Sequence, residues 1–308
     1  MKTILITGGA GFVGSYVIEA LLSSNLYKLI VLLRTQTDLY RIDELKEKIT
    51  LINIDHIDLN EIFSDHGIEG IIHLATYYSK QHSYEEIPSM LDTNIIFGTK
   101  LVDLAVQHNI KFFINTGTFF EYSMMHNPIS EQSDKDPYNL YAATKIAMDA
   151  IVKYYAKASS THFLTLKLAT PYGYKDNQKL VSYLIKSVLS DQHITLEKGE
   201  QEWDFIYVKD VANAYLKAVE FCIKTQKTQN EDVYIGTGKA YAIKDMVKLI
   251  NNLSAKTLIT TEKPYNQDQI FLAYGDISKA KNLLQWLPTY SLESGLEETY
   301  NNYNKGIK

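Results

Sequence analysis

Cysteine is all but missing from this chain: Cys222 is the single one in 308 residues. A lone thiol excludes an internal disulfide framework and a cysteine-built metal site, and it agrees with a reducing cytosol. Arginine is nearly as scarce, since only Arg34 and Arg41 stand among 31 basic residues. No run of Lys or Arg forms a stripe, and with a net charge of −5 nothing draws the chain to nucleic acid, so the expected ligand is small. No apolar stretch reaches membrane-spanning length, and the first strand begins almost at Met1, which leaves no room for a signal peptide. The expectation is a soluble, cytoplasmic protein with no membrane partner and no metal. Internal repeats and low-complexity tracts are absent too.

Hydrophobic residues make up 45% of the chain, enough for one large domain or a large domain plus a lobe. Strand-like runs at 3–7, 28–33, 49–54, 70–74, 111–116 and 163–168 alternate with amphipathic segments, notably 93–108 and 138–157, the second entered through Asp136-Pro137. That alternation predicts an α/β fold with a doubly wound parallel sheet over 1–170. After Pro171 the rhythm loosens into helices at 179–191, 208–222 and 242–253, an extended stretch at 194–206 and a strand at 232–236. Segments near 205–236 are expected to return to the sheet, with 171–308 mainly a smaller substrate-binding lobe. Lys224 to Asn230, polar throughout, reads as an exposed loop.

Thr3 to Ser15, TILITGGAGFVGS, reads as a strand, a glycine turn and a helix start. Ile4, Leu5 and Ile6 form the short apolar run that a strand buried on both faces needs. Gly8, Gly11 and Gly14 follow at three-residue spacing, which suits a tight turn, close approach of a diphosphate to bare backbone, and close packing of helix on strand. The helix beginning near Phe12 and Val13 aims its unpaired N–H groups and positive dipole end at that diphosphate. A turn that merely redirects the chain is the alternative. The strand before it, the amphipathic segment Val13, Val17, Ile18, Leu21, Leu22 after it, and the second strand favour a dinucleotide site.

Arg34 ends the second strand, twenty residues beyond Gly14, where an acidic side chain would bind the ribose 2′-hydroxyl of NAD. A guanidinium there suits the 2′-phosphate of NADP, with Thr35 able to donate a further hydrogen bond; the alternative is a solvated arginine. Tyr141 and Lys145, four apart, share one helix face. A cation within ~4–6 Å favours a phenolate and lowers a tyrosine pKa by roughly 1–3 units, so Lys145 would tune Tyr141 for proton transfer. Among 23 tyrosines an isolated pair would mean little. Thr118, just past the strand at 111–116, stands at the same sheet edge, with a hydroxyl for a substrate carbonyl.

With these residues in place the chain resembles, over nearly its whole length, the extended short-chain dehydrogenase/reductase family of nucleotide-sugar epimerases, dehydratases and reductases. The resemblance is carried by TGGAGFVGS at 7–15, Asp55, His73-Leu-Ala75, Asn94 with Gly98-Thr99, Thr118 four before Tyr122, and Tyr141-Ala-Ala-Thr-Lys145. It continues through Pro171-Tyr-Gly173, Asp204-Phe-Ile-Tyr-Val-Lys-Asp210, Ile235-Gly-Thr-Gly238, and Asp276-Ile-Ser-Lys-Ala280 before Trp286-Leu-Pro288. It implies a Rossmann domain with Thr118, Tyr141 and Lys145 as a catalytic triad. Leu74, Ala75, Asn94, Thr116 and Leu168 would join the glycine turn along the dinucleotide, with Asp55 and His56 near the adenine; for Asp55 a strand-end cap is the alternative. Thr76, Thr118, Phe119, Thr170, Lys179 and Trp203 would face substrate. His73 reads as a packed strand residue, and Lys80 and His82 as loop residues facing either substrate or solvent. A homodimer through 93–108 and 138–157 is implied, unless their apolar stripes belong to the sheet's own core.

Departures from the family pattern narrow the reaction. The family's 4,6-dehydratases carry an Asp-Glu pair directly after the threonine; Phe119 and Phe120 stand there instead, which argues against dehydration while Glu121 next door keeps it in view. The Cys of the GDP-fucose synthase branch is likewise replaced by Phe119. Many relatives have Arg before Asp-Phe, where this chain has Trp203, so a nucleotide diphosphate must be met by Lys175, Lys179 or Lys198, by backbone N–H groups, or by a helix end. Asn115-Thr-Gly-Thr118, Asn139-Leu-Tyr-Ala-Ala-Thr-Lys145 and Leu166-Lys-Leu168 look most like the CDP-abequose/CDP-paratose synthase branch, which reduces a 4-keto group on a CDP-linked 3,6-dideoxy sugar. The expectation is therefore an NADPH-dependent reductase of a nucleotide-linked 4-keto-deoxyhexose, CDP-linked in first place, serving surface-polysaccharide sugar biosynthesis. Hydride would reach the keto carbon, Tyr141 would protonate the alkoxide, Thr118 would polarise the carbonyl and Lys145 would hold the ribose. NADP(H) is favoured, with NAD(H) the alternative. The runner-up is an epimerase that retains NAD. A catalytically silent NADP-sensing protein comes third, because such proteins typically lose the Tyr and Lys pair.

Overall fold

Apolar runs of the first half assemble side by side into one sheet. The structure, a computed structural model, describes residues 1–177, 179–225, 230–265 and 269–307. Strands β1 (Lys2–Thr7), β2 (Tyr27–Leu33), β3 (Thr50–Asn53), β4 (Ile68–His73), β5 (Phe112–Thr118) and β6 (His162–Leu168) are joined through helices α1 (Phe12–Ser23), α2 (Leu59–Asp65), α3 (Ile87–Leu91), α4 (Gly98–Gln107) and α5 (Leu140–Ala156). Then come β7 (Thr170–Tyr172), α6 (Leu180–Leu189), β8 (Ile194–Glu197), β9 (Glu202–Trp203), β10 (Phe205–Tyr207), α7 (Val208–Lys224) and β11 (Asn230–Ile235). The chain ends with β12 (Tyr241–Ala242), α8 (Ile243–Ser254), β13 (Ile259–Lys263), β14 (Leu272–Ala273), α9 (Ser278–Leu284) and α10 (Leu292–Ile307).

The main sheet runs β11-β6-β5-β4-β1-β2-β3, and every pairing in it is parallel. This is the doubly wound Rossmann architecture. Successive side chains of β1 divide between its two faces: Ile4 and Ile6 join the apolar cluster with α1, α7 and α9, and Leu5 joins the one with α2, α4 and α5. Because helices cover both faces, the strands carry nearly continuous apolar runs. Strand order reverses between β1 and β4, and the crevice outside the carboxyl ends at such a point is where these sheets take their ligands.

A third apolar cluster lies to one side, where Val181, Leu184 and Ile185 of α6 meet Met246 and Ile250 of α8 and Leu296 of α10. Small strand pairings, β8 with β13 and β9 with β12 and β14, complete this region. β11 returns to the main sheet as its edge strand on β6.

Several boundaries moved. The segment 93–108 is broken into a π-turn at Asp92–Phe97 and then α4. α5 starts at Leu140 because Asn139 caps it, its side chain accepting the Ala142 N–H at 2.9 Å. β5 runs on to Thr118, which is its last residue. The extended stretch 194–206 is three short strands, and the helices α9 and α10 lacked a sequence expectation. The loop expected at Lys224–Asn230 falls mostly on 226–229, outside the described residues. The apolar stripes of α4 and α5, including Leu101, Ala105, Met148 and Val152, belong to the sheet's own core. No described helix is long and apolar enough to cross a membrane, and the described residues hold no group of three or more His, Cys, Asp or Glu placed for a metal.

Candidate active site

The glycine turn after β1 is required at two positions by close packing and left bare at a third. Gly8 has φ +69°, and a Cβ on it would stand 2.5 Å from the Ala75 nitrogen; on Gly14 it would stand 2.2 Å from the Gly8 oxygen. At Gly11 the nearest atom is that same oxygen at 3.0 Å, so its other side is open to the cleft. Gly11 caps α1 without any side-chain hydrogen bond, and the first turn of α1 carries no acidic residue. A bare backbone face beside an uncapped helix start fits the diphosphate of a dinucleotide.

From this turn a cleft of about 1240 Å³ crosses the carboxyl ends of the strands. That exceeds the ~300–1,000 Å³ usual for one small ligand, so a dinucleotide and a second molecule fit together. Gly8, Gly11, Phe12, Val13, Gly14, Leu74, Ala75, Thr116 and Leu168 line it, as do Thr76, Thr118, Phe119, Tyr141, Thr170, Lys179 and Trp203. Lys80 lines it and His82 does not. Arg34, Thr37, Asp38 and Arg41 line it beyond β2, so both arginines of the chain reach the cleft. Arg41 Nε donates to the Lys175 carbonyl at 2.9 Å, and its guanidinium also donates to the Asn177 side chain.

Five expected cofactor residues, Thr35, Asp55, His56, Asn94 and Lys145, do not line the cleft. Thr35 donates its N–H to Asp55 Oδ2 at 2.7 Å and accepts from Asn53 Nδ2 at 3.0 Å, while the Asp55 N–H donates to Asn53 Oδ1 at 3.0 Å. That closed ring caps the strand ends and leaves the exposed Thr35 hydroxyl its own hydrogen; His56 beside it is exposed. Asn94 is buried with its amide fully engaged: Oδ1 accepts from Thr76 and the Tyr77 N–H, and Nδ2 donates to the Tyr77 carbonyl and Thr144. It fixes the loop after β4. His73 is packed between Phe97 and Phe113, with Nδ1 2.7 Å from the Thr7 hydroxyl, and burial drives its pKa down to about 3.

Thr118 ends β5 while Tyr141 and Lys145 occupy successive turns of α5; Thr118 and Tyr141 both line the cleft. Lys145 Nζ lies 5.7 Å from the Tyr141 ring centroid, just behind the cleft wall. Burial dominates both groups. It raises the Tyr141 phenol well above its ordinary value, with the Glu121 charge adding to it, and a hydrogen bond involving Thr76 only partly opposes the rise. It lowers Lys145 to about 8, against the opposite pull of Glu121. The expected lowering of Tyr141 by Lys145 is thus reversed, because desolvation dominates at this buried phenol.

Behind the triad lies a cluster of charges that sequence reasoning missed. Lys167 in β6 is fully buried, 2.5 Å from Glu121 Oε2 and in contact with Asp149 of α5. Lys135 approaches Glu121 at 3.2 Å and Asp149 at 3.8 Å, and covers the Tyr122 ring at 3.6 Å. The other oxygen of Glu121 accepts the Thr118 N–H at 2.8 Å. Burial works to raise Glu121, but Lys167 and Lys135 hold it below its ordinary value. Asp149 is pushed up to about 7 by burial and the Glu121 charge. Glu121 is therefore fully buried, tied to two lysines and the Thr118 N–H, and does not line the cleft. The signal was a lysine inside the buried strand His162–Leu168, and Asp149 four residues beyond Lys145.

The wall facing Tyr141 is aromatic. Phe119 and Phe120 lie 4.2 Å apart between centroids, Phe120 stacks on Tyr138 at 5.3 Å, both meet Trp203 edge-on, and Tyr78 meets Tyr141 edge-on at 4.9 Å. The buried Thr170 hydroxyl has no hydrogen-bond partner. Cleft residues without a sequence expectation include Asp38, Tyr78, Asp176, Asn177, Gln201 and Gln269.

The NAD dependent epimerase/dehydratase family model matches residues 4–236. CDP-abequose synthase of Salmonella typhimurium LT2 is 28% identical over 306 residues, covering 96% of each chain. dTDP-4-dehydro-6-deoxyglucose reductase of Escherichia coli is 25% identical over 315 residues, covering 96% of this chain and 95% of the relative. UDP-glucose 4-epimerase of Thermotoga maritima, solved with UDP-glucose, superposes with a TM-score of 0.89 at 27% identity, over 99% of this chain and all of the other. The glycine cradle, the strand order and a match across most of the length agree: this chain is an enzyme of the NAD-dependent epimerase/dehydratase family.

Proposed function

We propose that the protein reduces the 4-keto group of a nucleotide-linked deoxyhexose with NADPH, the nucleotide being CDP in first place. The observation that carries this is that Arg34 and Arg41 both line the cleft, since a second negative charge on the ribose is what guanidinium groups there would meet. Bound in the glycine cradle, the dinucleotide supplies the hydride. Tyr141, kept protonated by burial, donates its phenolic proton to the carbonyl oxygen as charge develops there. The Thr118 hydroxyl hydrogen-bonds the same oxygen, and Lys145 supplies positive charge behind both. Phe119, Phe120 and Trp203 offer a deoxygenated sugar an apolar wall, and the relatives named for CDP-abequose and for a dTDP-4-dehydro-6-deoxyglucose support both the sugar and the reaction. The enzyme works in the cytoplasm as a homodimer through the outer faces of α4 and α5, beside the exposed Ile96 and Tyr154.

A second possibility is a 4-epimerase that keeps NAD. Asp38 in the cleft lining, able to hold ribose hydroxyls, and the likeness to the Thermotoga epimerase favour it. Stoichiometry separates the two. One NADPH should be consumed for each 4-keto sugar nucleotide converted; turnover of a 4-hydroxy sugar nucleotide with no net change in absorbance at 340 nm would establish the epimerase instead.

A further inference from the structure

Thr118 is the last residue of β5, and β4 pairs with that strand only as far as Asn115. Thr118 therefore has no partner residue in β4. A side chain takes that place: Glu121 Oε1 accepts the Thr118 N–H at 2.8 Å, and the Thr118 hydroxyl oxygen accepts the Phe120 N–H at 3.4 Å. The hydroxyl keeps its own hydrogen to donate, and Thr118 lines the cleft.

The carboxylate is held in turn from two other elements. Its second oxygen accepts from Lys167 of β6 at 2.5 Å and from Lys135 at 3.2 Å, and Lys167 also donates to Asp149, one turn beyond Lys145 on α5. Gly117 leaves the room, since a Cβ there would stand 2.6 Å from Glu121 Oε1 and 2.9 Å from Lys167 Nζ. The Glu121 carbonyl accepts the Asp136 N–H and the Phe120 carbonyl accepts the Tyr138 N–H, both at 3.1 Å, just before the Asn139 cap of α5. The end of β5 is thus tied to the helix that carries Tyr141 and Lys145. Stability alone does not call for charges here, because apolar groups of the same volume are often as stable as a buried ion pair.

We propose that Glu121 is a positioning residue: braced against α5 by Lys167 and Asp149, it fixes the Thr118 backbone and so sets the direction from which the Thr118 hydroxyl meets the substrate carbonyl. This takes Thr118 as the hydrogen-bond donor to that carbonyl, the role proposed above. Glu121, fully buried, acts only through Thr118. A donor aimed at a developing oxyanion is worth ~10²–10³-fold in rate, and a misplacement of about 1 Å forfeits much of it.

Two double variants isolate the hydrogen bond. Glu121→Gln/Lys167→Met and Glu121→Leu/Lys167→Met both replace the buried pair by neutral groups; the glutamine keeps an oxygen for the Thr118 N–H with no lysine at 167 competing for it, and the leucine has none. Rates are measured with NADPH and a CDP-linked 4-keto-3,6-dideoxyhexose at about pH 6.5, below the Lys145 value of about 8, and calorimetric NADPH binding reads folding. The leucine variant should lose at least about tenfold in kcat relative to the glutamine variant, with KM within about threefold. Adding Thr118→Val to both should bring them level, because the oxygen then has no hydroxyl to aim. Glu121→Asp keeps the charge and withdraws the carboxylate by one methylene; it should show the same loss of kcat with NADPH affinity unchanged, and it decides the matter if the double variants do not fold. Equal kcat in the two double variants, a gap that survives Thr118→Val, or an undiminished rate in Glu121→Asp would overturn the positioning role and leave the reductase in place. A parent protein that oxidises no NADPH with this substrate would overturn the proposed reaction and the role together.

Discussion

Replacing Lys167 by Met strips the buried charge cluster of its central cation. In the intact protein Lys167 answers Glu121 and Asp149 at once, and neither carboxylate has appreciable access to water. Removing one partner of a buried ion pair costs ~3–5 kcal/mol. Lys135, 3.2 Å from Glu121 and 3.8 Å from Asp149, stays behind and holds the loss near the lower end, ~3 kcal/mol. For a chain of this length that is a fall in Tm of roughly 6 °C, at about 2 °C per kcal/mol. The loss should depend on pH. Asp149 already stands at about 7, above an unfolded value near 3.9, so its proton favours the folded state. The associated stability is complete below about pH 4 and is lost as pH rises to about 7. Without Lys167 the Asp149 pKa moves higher still, so the variant goes on losing up to ~1.4 kcal/mol per pH unit from pH 7 to 8, where this group leaves the parent level. Urea unfolding of both proteins at pH 7 and 8 measures the gap. A difference below ~1 kcal/mol at both pH values, or one that does not widen with pH, would refute the assignment of the cluster as a coupled buried network.

Tyr141→Phe should retain NADPH binding and lose turnover by ~10²–10⁴-fold, read by calorimetry and steady-state rates; an undiminished rate removes Tyr141 as the proton donor. Lys145 loses its proton as pH rises through about 8, so kcat/KM should fall above that pH. The Glu121 charge supports the protonated lysine, so Glu121→Gln should move that limb to lower pH; a profile flat to pH 10 in the parent protein would contradict both statements. Arg34→Ala should raise the KM for NADPH by ~10- to 100-fold, the value of a charge-assisted hydrogen bond, and leave the KM for NADH within about twofold. Equal effects on the two cofactors would place the 2′-phosphate elsewhere.

The alternation of apolar runs and the glycine spacing sufficed for the architecture, because a strand covered on both faces and a backbone that must touch its neighbours each leave a local mark. Tyr141 and Lys145 lie one helical turn apart, but among 23 tyrosines that spacing meant little, and the family resemblance singled them out. Thr118 was placed by its strand, although the strand proved to end on it. The hydrogen-bond partners of Thr35, Asp55 and Asn94 were not legible, because a polar residue at a strand end or in a helical turn serves a hydrogen-bond ring as readily as a ligand, and the sequence does not say which way it turns.

Sequence by itself determined the doubly wound sheet and the glycine turn, since periodicity and short-range spacing encode them, while Thr118, Tyr141 and Lys145 were marked out by the family resemblance. Tertiary structure alone decided the ionisation of that set. Lys167, Glu121, Asp149 and Lys135 come from four separated positions, and only their burial together makes their charges felt at Tyr141 and Lys145. The same holds for the second arginine and for the carboxylate at the Thr118 N–H. Each acts through neighbours that the fold, and not the sequence, brings within a hydrogen bond, where desolvation and partner geometry outweigh any residue's intrinsic chemistry.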